Sequence, residues 1–147
     1  MKASEFLKND EKLMVISAIK GAETNTSGEI RLHIEKDCKE DVMDRAAYLF
    51  EKLGMHKTEK RNGVLFYLAY QDKKFAILGD AGINAVTPDD FWDSIKELVL
   101  SYFKENKYAE GLHHGILKAG EVLKKHFPFQ TDDVNELSDE ISFGNNK

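Results

Sequence analysis

One cysteine, two prolines, one tryptophan and no net positive charge mark what this 147-residue chain has little of. Cys38 stands alone, so no internal disulfide forms and nothing in the sequence requires an oxidising compartment. No apolar stretch approaches the ~20 residues of a membrane-spanning helix, and frequent charges near the N-terminus interrupt any signal-peptide core. A cytoplasmic protein without a transmembrane segment is expected, and the Asn25-Thr26-Ser27 match to a glycosylation sequon is then accidental. Asp and Glu number 26 against 21 Lys and Arg, for a formal net charge of −5. Residues 131–147 hold −4 of it, through Asp132, Asp133, Glu136, Asp139 and Glu140 against Lys147. The rest of the chain is nearly neutral and offers no basic field to a phosphate backbone, which argues against nucleic-acid binding as a main role.

What is present is enough apolar material for one domain: 41% of residues are hydrophobic, with nine Phe, five Tyr and one Trp. Leu13, Ile16 and Ile19 recur at helical spacing over residues 9–22, behind Asn9 and Asp10 as caps. Residues 29–35 alternate, with Ile30, Leu32 and Ile34 set against Arg31, His33 and Glu35, as in a strand with one drier face. Asp41 caps a second helix, which Gly54 ends in a left-handed conformation. The apolar run 64–70 reads as a central strand covered on both faces, and 75–78 pairs with it as a hairpin across the polar turn 71–74. Thr87-Pro88-Asp89-Asp90 is a helix start, with Thr at the cap and Pro in the first position. A last helix over 108–126 carries Gly111, Gly115 and Gly120 for close approach of a neighbour, and Pro128 stops it. The order α-β-α-β-β-α-α implies an α/β fold: a three-layer α/β/α sandwich with a small mixed β-sheet and helices on both faces. The domain is expected at residues 5–129, with 130–147 as a flexible acidic C-terminal tail.

This connectivity places a candidate site. If strands 29–35 and 64–70 are parallel, their N-terminal ends share an edge of the sheet, and strand 75–78 runs back to finish there. That edge is expected to gather Glu29, Asp80, Asp89 and Asp90, with Arg61 and Asn62 beside them. Crowded carboxylates must be protonated, paired or bridged by a cation, and hard oxygen ligands suit calcium, or else magnesium, over zinc. The same residues also have structural uses, Asp90 as a helix cap and Arg61 as the ion-pair partner of Glu29 or Asp80.

The stretches Thr26-Ser-Gly-Glu-Ile30, Arg61-Asn-Gly-Val-Leu65, Leu78-Gly-Asp-Ala-Gly-Ile83, Tyr108-Ala-Glu-Gly-Leu112 and His126-Phe-Pro128 resemble the TPM domain. That family is named for thylakoid, photosystem-repair and receptor-modulator members. The resemblance covers roughly residues 10–128 in order. It implies an α/β sandwich with a mixed sheet, divalent-cation binding near the strand ends in some members, and the acid phosphatase activity attributed to plant thylakoid members. Glu29, Asp80, Asp89 and Asp90 are the positions assigned to such a metal edge.

Other chemical signals are weak. Cys38 has Asp44 six residues on where a cysteine phosphatase needs Arg, no Asp-x-Asp ends an apolar strand, and no Gly-rich cradle precedes a helix. Phosphate chemistry would have to be metal-assisted; the basic loop 56–61 could orient a phosphate, but the preferred reading is a solvated connection. Glu110, His113 and His114 share a helix face but lack a second cluster to complete a metal shell. The reading reached is a monomeric, calcium-binding interaction or regulatory module for an unidentified protein partner, the alternative being a metal-dependent acid-phosphatase-like hydrolase of phosphate monoesters.

Overall fold

Alternating and continuous apolar strands pair in a computed structural model that describes residues 1–129 and 139–144. Helix α1 (Asn9–Glu23) is followed by β1 (Glu29–Glu35), α2 (Val42–Lys52), β2 (Gly63–Ala69) and β3 (Lys74–Gly79). The short helix α3 (Ala81–Asn84), then α4 (Asp93–Phe103), α5 (Tyr108–His126) and β4 (Ser142–Phe143) complete the chain. The sheet order is β3-β2-β1-β4. β1 runs parallel to β2, from Glu29 opposite Gly63 to Glu35 opposite Ala69, and β3 returns antiparallel along β2.

The two faces of the sheet are covered unequally. Ile30, Leu32, Ile34, Val64, Phe66 and Leu68 point into the larger core, where α1, α4 and α5 supply Ile19, Val99 and Ile116 among others. On the opposite face Leu65, Tyr67, Ala69 and Ala76 pack beneath Ala46, Leu49 and Phe50 of α2. This is the expected three-layer sandwich, and it explains why β2 is apolar at every position. Close helix contact depends on the predicted glycines. A Cβ on Gly115 would lie 2.4 Å from Val99 Cγ2, and one on Gly120 would lie 2.6 Å from Ala22 Cβ.

The element ends follow local chemistry. Asp41 accepts from Met43 N at 2.9 Å and Asp44 N at 3.1 Å to cap α2, and Gly54 adopts φ 73° past its end, both as expected. The helix start read at Thr87 is corrected. Thr87 Oγ1 donates instead to Ile83 O at 2.8 Å, residues 88–92 form turns, and α4 opens only at Asp93. Thr87 is thereby tied to the end of α3, six residues ahead of the first residue of α4.

Within the segment expected as a flexible tail, residues 139–144 are described. Residues 142 and 143 pair in parallel with His33 and Ile34 as the outer strand β4. Ile141 is only 8% exposed within the larger core, and Phe143 packs against it. Apolar side chains at alternate positions, 141 and 143, give this acidic stretch one face to bury. Asp132, Asp133, Glu136 and Leu137 lie outside the described residues. Among the described residues no helix is long and apolar enough to cross a membrane.

Candidate functional site

Parallel pairing of β1 with β2 sets Glu29 beside Asn62 and Gly63 at one edge, and the β3 strand delivers Asp80 to the same place. Glu29 is 3% exposed and its backbone N donates to Asn62 O at 3.3 Å. Asn62 is 1% exposed, its N donating to Thr58 Oγ1 at 3.2 Å and its Nδ2 to Ser27 Oγ at 3.3 Å. Its Oδ1 is buried with no hydrogen-bond partner among the described residues. A buried amide carbonyl left unpaired costs ~1–3 kcal/mol, so this oxygen is the atom of the edge that invites a ligand.

Asp80 is otherwise engaged. Its two carboxylate oxygens accept from Arg61 Nε and Nη2, each at 2.8 Å, and Oδ1 also accepts from Ala81 N at 2.7 Å. The loop holds Arg61 in place through an unusual backbone: Arg61 has φ 51°, and its carbonyl accepts from Gly82 N at 2.8 Å. A Cβ on Gly82 would lie 2.2 Å from Lys60 O and 2.6 Å from Arg61 O, so the α3 turn can sit against this loop only as glycine. Of the two uses open to Arg61, the structure takes the ion pair with Asp80, and the pair raises the guanidinium further above its usual range.

Asp89 and Asp90 lie in the exposed turn before α4. Asp89 lines a cavity of about 330 Å³ with Gly79, Asn84, Thr87, Trp92 and Asp93. The four predicted carboxylates therefore do not form one coordination group. Among the described residues, no three His, Cys, Asp or Glu side chains come together in a way that could hold a metal ion. With α4 opening only at Asp93, Asp89 and Asp90 stand in a turn and not in the first turn of a helix.

Two clusters were not legible from the sequence. Glu23, at the end of α1, accepts from Ile30 N at 2.8 Å. Burial first, and then a hydrogen bond and like charge from Asp139, push its carboxyl up to about 9. Glu35 and His33, read as the wetter face of β1, are buried. Arg45 reaches Glu35 with Nε at 3.1 Å and Nη2 at 2.5 Å, Tyr67 donates to Glu35 Oε2 at 2.5 Å, and His33 Nδ1 lies 2.7 Å from Ser142 Oγ. Burial alone would raise Glu35, but the neighbouring His33, Arg45 and Tyr67 groups outweigh it and hold the carboxyl down at about 2. The only sequence signal was the presence of a carboxylate and a cation, Glu35 and Arg45, flanking a loop.

Comparison with known proteins agrees with the architecture. The TPM domain family model matches residues 1–122. The chain is similar to the BA42 protein of the psychrophilic bacterium Bizionia argentinensis, with 48% identity, coverage of 97% of this chain and 99% of that one, and a TM-score of 0.90. The N-terminal domain of a protein from P. gingivalis shares the fold at 19% identity and TM-score 0.67, covering 84% of this chain and 80% of that one. The N-terminal domain of the cg2496 protein of Corynebacterium glutamicum does so at 12% identity and TM-score 0.64, covering 79% and 73%. No functionally curated protein matches the chain.

Proposed function

The chain belongs to the TPM domain family, and from that premise we propose that it is a divalent-cation-binding interaction module taking calcium, or magnesium less well, at the N-terminal edge of the sheet. One observation carries the reading: Asn62 Oδ1 is buried without a partner among the described residues, in the loop just before β2, where the Asn62 carbonyl accepts from Glu29 N. An amide carbonyl and a carboxylate are the hard oxygen donors that calcium accepts, with water completing the shell. Asp80 contributes by fixing Arg61 and the loop that carries Asn62, while Asp89 and Asp90 add to the negative field on the side of Gly79. A bound cation supplies charge that draws the ends of β1 and β2 and the loop at residues 58–62 into one rigid surface for a protein partner.

Calorimetric titration with calcium and with magnesium tests this. Saturable calcium heat is expected from the wild type, at least tenfold weaker binding from Glu29→Gln, and a loss of similar size from Asn62→Ala. No heat with either metal, or equal heat in Glu29→Gln, overturns the proposal.

A further inference from the structure

The outer edge of β1 makes six residues of the C-terminal segment chemically selective. Ile141 enters the larger core. Ser142 Oγ meets His33 Nδ1 at 2.7 Å and lies 3.4 Å from Leu32 O. Phe143 packs against that core with Lys12 Nζ 5.5 Å from its ring centroid. Gly144 N donates to Ile34 O at 2.8 Å, and a Cβ there would come within 2.6 Å of Glu35 Cγ. Ahead of them, Asp139 takes a hydrogen bond with Glu23, and Glu140 acts on the charge of half-buried Arg31.

The grip is specific but short. β4 forms two residue pairs with β1, whereas β2 forms seven with it. Such a segment opens at a small fraction of the global unfolding free energy, and a vacated strand edge is a template for another chain. We infer that the outer edge of β1 is a peptide-binding groove, filled in cis by residues 139–144 and in trans by an extended segment of a partner protein with the same pattern: two acidic residues, an aliphatic, a hydroxyl residue, an aromatic and glycine. The partner is chosen by that side-chain code, and by the parallel direction of the strand, since Arg31 and the carboxyl of Glu23 receive the acidic end while the Glu35 side chain admits only glycine at the other. This goes beyond the cation reading and uses different residues, so either can fail without the other.

The probe is a fluorescein-labelled peptide with the sequence of residues 139–144, followed by anisotropy against the full chain. The double variant Ile141→Ala and Phe143→Ala, which loosens the cis segment, is expected to bind it at least tenfold more tightly than wild type. A peptide with valine in place of its glycine is expected to bind at least tenfold more weakly. Equal binding to variant and wild type, indifference to the valine, or light scattering that shows only exchange between copies of the chain overturns the inference. Should the variant fail to fold, hydrogen exchange on the wild type decides: the Gly144 amide is expected to exchange at least 100-fold faster than that of Phe66, and equal protection contradicts an exchangeable strand.

Discussion

Glu23 shows how one residue sets the pH response of the fold. With its carboxyl raised to about 9 in the folded state, against an unfolded value near 4.5, the favourable contribution is fully present below about pH 4.5. It declines as the pH rises and is lost by about 9, because the unfolded chain gives up a proton that the folded chain keeps. Glu23→Gln keeps an acceptor for Ile30 N and a donor for Asp139 but removes the titration. The variant is expected to match wild type near pH 4.5 and to exceed it by at least ~1 kcal/mol at pH 8, since each tenfold difference in proton affinity between the folded and unfolded chains is worth about 1.4 kcal/mol. Urea unfolding at the two pH values reads this directly. Nothing near Glu23 in the sequence revealed the effect, because its neighbour Asp139 comes from the far end of the chain. Asp80 was more legible: a carboxylate at the end of β3 with Arg61 in the loop before β2 allowed the ion pair that forms, though not the choice between pair and metal.

At the scale of elements, what could be read was what adjacent residues decide. The cap and glycine stop of α2, the hairpin of β2 with β3, and the glycine face of α5 depend on short-range pattern, and the structure has them. The start of α4 was misread because Thr87 is held by Ile83 O, at the end of a four-residue helix too short to announce itself by periodicity. That short helix is where loop and strand are locked together. Gly82→Ala pushes a methyl group against two backbone carbonyls, at 2.2 and 2.6 Å, and is expected to cost about 2–3 kcal/mol. Gly21→Ala, in α1 with nothing within 4 Å of the added atom, is expected instead to gain about 0.5–1 kcal/mol. Denaturant midpoints of the two variants, with unchanged slopes, check the contrast.

For the molecule as a whole, the layer order followed from the sequence of periodicities, but the fourth strand did not. Two residues at the end of an acidic stretch carry little signal of their own, and their partner strand lies a hundred residues earlier, so β4 emerges only once the sheet exists. The burial of His33 and Glu35 has the same origin: Arg45 of α2 reaches over Glu35 and Ser142 of the neighbouring β4 meets His33, on a face of β1 whose alternation alone reads as solvated. The candidate site was half legible for this reason too. Topology brought Glu29, Asn62 and Asp80 to one edge, while Asp89 and Asp90 stand in the exposed turn before α4 and complete no metal-holding group among the described residues. The claim that this edge binds a cation is tested most directly by titrating calcium into isotope-labelled protein and following backbone amide resonances. Saturable shifts centred on residues 27–29 and 61–63, with smaller ones at 80–82, are predicted; no saturable shift, or shifts centred on Asp89, Asp90 or the C-terminal acidic residues with Glu29 and Asn62 unmoved, would contradict it.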